Sequence, residues 1–197
     1  MKLSDVHTVA VIGGGTMGNG VAQVCAMNGF QVTIIEVDQI RADKAVATIA
    51  GSMDRVVKKD PKVDKTAVME RISTATDLKC AQAAQLVVEA VTEQLPVKLD
   101  LFRRLDTICP PHTILASNTS SLPITQLGGV TKRGDKVVGM HFMNPVPVMK
   151  LIEIIRGLAT SDETYNVIKE MALKLGKVPI EVNDYPGFIA NRILMPM

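Results

Sequence analysis

Short runs of β-branched and aliphatic residues recur along the chain at 8–12, 31–36, 86–90, 113–117, 136–142, 150–156 and 177–182. Longer stretches with helical spacing separate many of them, at 16–28, 39–59, 96–108 and 162–175, and Gly29 and Gly176 follow two of these stretches as C-caps. Runs that are apolar on both faces, alternating with helices, predict a mostly parallel sheet with helices packed over it. The runs at 136–142 and 150–156 are joined by residues 143–149 alone, which are too few for a crossover helix. An antiparallel hairpin is therefore predicted to end the parallel pattern. A further helix begins behind Pro186-Gly187, and the sequence reaches Met197 without a cap or a polar tail. We expect one α/β domain over residues 1–184, and the start of a helical domain over 185–197 whose remainder lies outside this sequence.

Composition narrows the function classes. With 197 residues, 47% hydrophobic and 21% charged, the chain has apolar material for one sizeable core or two small ones. Twenty-two Lys and Arg against 20 Asp and Glu leave a formal charge of +2, too balanced for a protein that grips nucleic acid along a phosphate backbone. Cys25, Cys80 and Cys109 are odd in number and widely spaced, which suggests neither a disulfide framework nor a metal site. The first residues lack the apolar stretch of a signal peptide, and no later run reaches the roughly eighteen apolar residues of a membrane helix. A soluble, cytoplasmic protein without a membrane partner is expected.

Gly13-Gly14-Gly15-Thr16-Met17-Gly18 follows the first strand directly and opens the first helix. That is the context in which the GxGxxG spacing signals a dinucleotide, so a Rossmann-type doubly wound fold is predicted. Gly13 permits the tight turn, Gly15 leaves room for a pyrophosphate, and Gly18 lets helix and strand approach closely. The helix N-terminus offers unpaired N–H groups to the phosphates. Glu36 ends the second strand and is the expected acceptor from the adenosine ribose hydroxyls, with Asp38 in reserve. A carboxylate there repels a 2′-phosphate, which favours NAD over NADP.

His141 closes a strand on the side where open α/β sheets bind ligands, and a neutral imidazole can take a hydroxyl proton at working pH. Glu153 stands among Leu151, Ile152, Ile154 and Ile155, so its carboxylate is expected to be partly buried and to need a partner. The pattern leaves two partners open: His141 across the hairpin, or Arg156 or Lys150 in a surface ion pair. Ser117-Asn118-Thr119-Ser120-Ser121 follows another strand on the same side and supplies hydroxyl and amide groups for a substrate oxygen.

These segments, together with Leu86-Val87-Val88-Glu89-Ala90, His141-Phe142-Met143-Asn144-Pro145-Val146-Pro147 and Pro186-Gly187-Phe188-Ile189-Ala190-Asn191-Arg192, closely resemble the 3-hydroxyacyl-CoA dehydrogenases. The similarity runs along essentially the whole chain. It is greatest to the bacterial short-chain members, which interconvert acetoacetyl-CoA and 3-hydroxybutyryl-CoA in fatty acid and butyrate metabolism. The resemblance implies NAD as cofactor, bound by Gly13, Gly15, Thr16, Met17, Gly18 and Glu36, with Glu93, Lys98 and Asn144 near the nicotinamide half. It implies His141 as general base, Glu153 as its orienting carboxylate, and Ser120 and Asn191 as holders of the 3-oxygen. Ser52 and Lys59 match positions that meet the CoA moiety, and Arg55 and Lys58 make that face basic. Family members form homodimers through a helical domain beyond the Asn-Arg segment. Many relatives carry Asp where Glu36 stands. The implied activity is NAD-dependent hydride transfer, and the alternative is a module that binds NAD(H) and CoA without turnover.

Overall fold

A run of residues apolar on both faces of a strand belongs at the centre of a sheet, and the computed structural model, which describes residues 1–194, builds one eight-stranded sheet largely from such runs. The strands are β1 (Thr8–Ile12), β2 (Gln31–Ile35), β3 (Ile72–Ala75), β4 (Leu86–Glu89), β5 (Ile114–Ser117), β6 (Val137–Phe142), β7 (Leu151–Arg156) and β8 (Val178–Asn183). Their order is β3-β2-β1-β4-β5-β6-β7-β8. Strands β1 to β6 are mutually parallel, and β7 pairs with β6 in the antiparallel sense. The predicted hairpin is present, but it does not close the sheet: β8 adds to β7 in parallel and forms the edge. The other edge strand, β3, was not expected from the pattern. Its sequence Ile-Ser-Thr-Ala has one strand neighbour and an exposed Ser73, so burial leaves little apolar signal there.

Helices α1 (Thr16–Met27), α2 (Gln39–Lys59), α3 (Lys65–Glu70) and α6 (Asp162–Lys174) pack one face; α4 (Leu95–Ile108) and α5 (Ile124–Gly129) pack the other. In α2, Ala42, Ala45, Ile49 and Met53 repeat at helical spacing and are its buried residues, and the Asp38 side chain caps its first turn by accepting from the Arg41 N–H at 2.8 Å. Ser161 caps α6 in the same way. Strand parity divides the core. Val9, Val11, Val88, Ala116, Met140, Ile152 and Ile154 join the α1 and α2 side, whereas Ala10, Ile12, Val87, Leu115, Val137 and Ile155 join the α4 side. By the same alternation Glu89, Ser117, His141 and Glu153 all belong to the α4 face. Cys25, Cys80 and Cys109 are free. Burial pushes the Cys25 and Cys109 thiols up to about 12 and about 11, which leaves them protonated packing residues. No helix among the described residues is long and apolar enough to cross a membrane.

Candidate active site

The chain turns outward from β1 to β2 on one side and to β4 on the other, so the carboxyl ends of β1 and β4 flank a crevice. Gly13 sits at its base with φ of +91°, and a Cβ there would meet the Ala90 carbonyl oxygen at 2.8 Å. A Cβ on Gly18 would collide with the Gly13 carbonyl, so α1 crosses the turn at backbone contact. Gly15 differs: a Cβ there would meet nothing within 4 Å. No side chain caps α1, whose leading residues are the exposed Thr16 and the half-buried Met17. Its first N–H groups have no partner within the helix and border open space, as an anion site requires.

Beside this turn a groove of about 520 Å³ is lined by Ile12, Ile35, Glu36, Val91, Leu101 and Arg104 among others. Apolar walls with one carboxylate at the end of β2 fit an adenosine half, and the open helix tip fits the diphosphate. Glu36 Oε1 accepts from the Gly14 N–H at 2.6 Å, so the acid expected on the ribose also braces the glycine turn. Asp38, the reserve acid, is committed to capping α2.

His141 and Glu153 are direct Cα partners across the β6–β7 ladder, and parity turns both onto one face. His141 Nδ1 lies 2.7 Å from Glu153 Oε2. The other carboxylate oxygen, Oε1, accepts from the backbone N–H groups of Ile189 at 3.0 Å and Ala190 at 2.8 Å, where α7 (Ala190–Leu194) begins. Glu153 is fully buried and His141 is 6% exposed. Arg156 instead pairs with Asp162 and Glu181, so the ion pair to Glu153 that the sequence left open is absent. Phe188, itself buried and held at φ of +50°, packs its ring 5.8 Å from the imidazole.

On the far side of the imidazole, Ser120 Oγ stands 3.1 Å from Nε2. The Asn191 amide donates to the Ser120 carbonyl at 2.8 Å, which brings these two residues together. The Ser120 N–H donates to Glu93 Oε1 at 2.9 Å, and the Thr119 hydroxyl donates to the same oxygen. Glu93 Oε2 is 3.3 Å from Lys98 Nζ, and the fully buried Lys98 is also paired with Glu89. Lys98 thus stands behind Glu93 rather than at the surface of the crevice. Asn144 is exposed at the head of the turn after β6, joined to Pro145 by a cis peptide. The buried Lys177 ammonium holds that turn through the carbonyls of Val146 and Met149. Ser52 and Lys59 lie on one face of α2, and no hydrogen bond or ion pair links them to the His141 group.

Residues 8–185 match the family model described as 3-hydroxyacyl-CoA dehydrogenase, NAD binding domain. The chain belongs to that family. A probable 3-hydroxybutyryl-CoA dehydrogenase of Bacillus subtilis is 47% identical over 195 residues, covering 98% of this chain and 68% of its own. Human mitochondrial hydroxyacyl-coenzyme A dehydrogenase is 44% identical, over 97% of this chain and 63% of its own. The crystal structure of (S)-3-hydroxybutyryl-CoA dehydrogenase from Ralstonia eutropha superposes with a TM-score of 0.94 at 45% identity, over 98% of this chain and 69% of that one. The chain thus spans about two thirds of the length of such relatives. As a member of the 3-hydroxyacyl-CoA dehydrogenases it is an oxidoreductase chain with NAD as its cofactor.

Within this dehydrogenase domain the sequence reading assigned no role to Glu89, did not pair it with Ser117 and Lys98, and missed the backbone donors at 189 and 190. Glu89 had a visible signal, since it ends the apolar run Leu86-Val87-Val88 as Glu153 interrupts its own. The electrostatics carry a pH consequence. Burial pushes the Glu153 carboxyl up, but hydrogen bonds from His141, Ala190 and Ile189 outweigh it and hold the group below its ordinary 4.5. Burial likewise raises Glu93, and the Thr119 hydroxyl, the Lys98 ammonium and the Ser120 N–H more than offset it. A folded-state pKa below the unfolded one stabilises the fold above the unfolded value and loses that contribution as pH falls through the folded one. Urea midpoints are therefore expected to fall as pH drops below about 4.5, and to fall less steeply in Glu93→Gln. Equal slopes in the two proteins would contradict this assignment.

Proposed function

We propose that the protein interconverts 3-hydroxybutyryl-CoA and acetoacetyl-CoA with NAD, using His141 as acid and base and Glu153 as the carboxylate that supports it. The supporting observation is the two-sided engagement of one imidazole, Glu153 on Nδ1 and Ser120 on Nε2, at the carboxyl end of β6. Glu153 keeps the proton on Nδ1 and leaves the Nε2 lone pair for the substrate. In oxidation the 3-hydroxyl proton passes to Nε2, the C3 hydrogen leaves with its bonding pair as hydride, and the electron pair left on oxygen forms the C3 carbonyl. Bound NAD supplies the hydride acceptor, and its reduced form the donor. The imidazolium made in this step is stabilised by Glu153 and returns the proton in the reverse direction. Ser120 and Asn191 orient the 3-oxygen, and Glu93 holds the Ser120 backbone in place. Ser52 and Lys59 receive the CoA moiety. Residues 1–184 are the cofactor domain and 185–194 begin the helical one; the last three residues assigned to it, 195–197, lie outside the described residues.

Acetoacetyl-CoA added to the protein with NADH should cause loss of NADH absorbance, and NADPH should support much less because the Glu36 carboxylate at the end of β2 would repel a 2′-phosphate. NADH binding without any oxidation would favour the second reading, a nucleotide-binding module without turnover.

A further inference from the structure

Between the Gly13 turn and His141 the sheet presents the carboxyl ends of β4 and β5, and three charged groups lie there. Glu89 is fully buried and receives donors only: Lys98 Nζ at 2.5 Å and the Val91 N–H at 2.7 Å on Oε1, and the Ser117 hydroxyl at 2.5 Å on Oε2. A surrounding made only of donors suits a carboxylate, whose oxygens only accept. Glu93, on the other side of Lys98, likewise receives the Thr119 and Ser120 donors. Two carboxylates against one ammonium leave one negative charge, and a single ammonium cannot neutralise both. Glu93 touches the Ser120 N–H, and the Ser120 hydroxyl touches Nε2 of His141. A hydride acceptor within about 3–3.5 Å of a carbon whose oxygen rests on Ser120 and His141 therefore lies on the order of 10 Å from this cluster.

We propose that the Glu89–Lys98–Glu93 cluster makes the site discriminate between the two redox forms of the nicotinamide, favouring the positively charged oxidised ring over the neutral reduced one, and that Glu89 sets this preference. The inference rests on the proposed NAD dehydrogenase reading. Glu89 touches neither ring nor substrate and acts through its charge and through Lys98, so it is a positioning residue. Glu89 makes no hydrogen bond to His141 or Glu153, whose partners are Ser120, Ile189 and Ala190, so differences between Glu89 variants report on the cluster.

The test is binding by the 197-residue protein, NAD⁺ by calorimetry and NADH by fluorescence, with no turnover required. Glu89→Gln keeps the side-chain shape and removes one negative charge. The ratio of the NAD⁺ to the NADH dissociation constant should rise about tenfold, the scale of a unit charge some 10 Å away at the effective dielectric of a protein site. Glu89→Asp keeps the charge and should keep the ratio, even if both affinities fall. Glu89→Gln combined with Lys98→Met restores one net negative charge and should return the ratio to that of the unsubstituted protein. A merely structural role would weaken both nucleotides alike, and an unchanged ratio in Glu89→Gln or an altered one in Glu89→Asp overturns the proposal. A protein that binds neither nucleotide overturns the NAD reading beneath it.

Discussion

Replacing His141 by Ala is expected to slow NADH oxidation by acetoacetyl-CoA by about two to four orders of magnitude while NADH affinity stays unchanged. The separation follows from geometry. The imidazole belongs to β6, with Glu153 on one nitrogen and Ser120 on the other, whereas the glycine turn and Glu36 lie at the ends of β1 and β2. Deleting the ring removes the group that exchanges the 3-hydroxyl proton and leaves the nucleotide crevice intact. It also leaves Glu153 Oε2 buried without its donor, so about 1–3 kcal/mol of stability should be lost with the activity. Stopped-flow kinetics, NADH fluorescence titration and urea unfolding on the same preparation read the three quantities separately. A variant that keeps its rate would remove His141 from the reaction.

Glu153→Gln should be nearly as damaging, for a reason that the two carboxylate oxygens make specific. Oε2 faces the His141 Nδ1 and Oε1 faces two backbone N–H groups, so every neighbour is a donor once the imidazole carries its proton on Nδ1. A glutamine has only one oxygen to offer. With its NH₂ toward His141, the ring must move its proton to Nε2, and the base is in the wrong tautomer, an error that costs about four orders of magnitude in a serine protease triad. With its NH₂ toward the 189–190 backbone, two N–H groups lose their acceptor and the buried NH₂ faces donors, which costs about 1–3 kcal/mol. Kinetics combined with denaturant unfolding should show a loss of at least one kind and a strong loss of rate. Full rate together with full stability would mean that the carboxylate does not support the imidazole.

Much of this arrangement was readable before any coordinates. The runs at β1, β4, β5 and β6 are apolar at almost every position because both faces are covered, and the glycine turn, first helix and acid at the end of β2 form one local unit. Strand alternation held more than was drawn from it. Lys150 and Arg156 each lie three residues from Glu153, hence on the opposite face of the strand, while the short turn after Phe142 brings His141 to the same face as Glu153. Parity alone therefore favoured the histidine over the surface ion pair. Other features depend on long-range placement that local pattern does not encode. The Ile189 and Ala190 donors come from more than thirty residues beyond Glu153. Lys98 falls at helical spacing with Leu101, Phe102 and Leu105 on the buried face of α4, but the two carboxylates that pair with its ammonium come from the preceding strand and loop. Edge strand β3 escaped notice because an edge demands little burial.

The proposed chemistry turns on one proton, which ¹⁵N spectroscopy of labelled histidine observes directly. The chain has only three histidines, His7, His112 and His141, so His141→Ala assigns the relevant signals. At mildly alkaline pH His141 should carry its proton on Nδ1, directed at Glu153, with Nε2 unprotonated and free to act as the base. A neutral His141 protonated on Nε2 would contradict it.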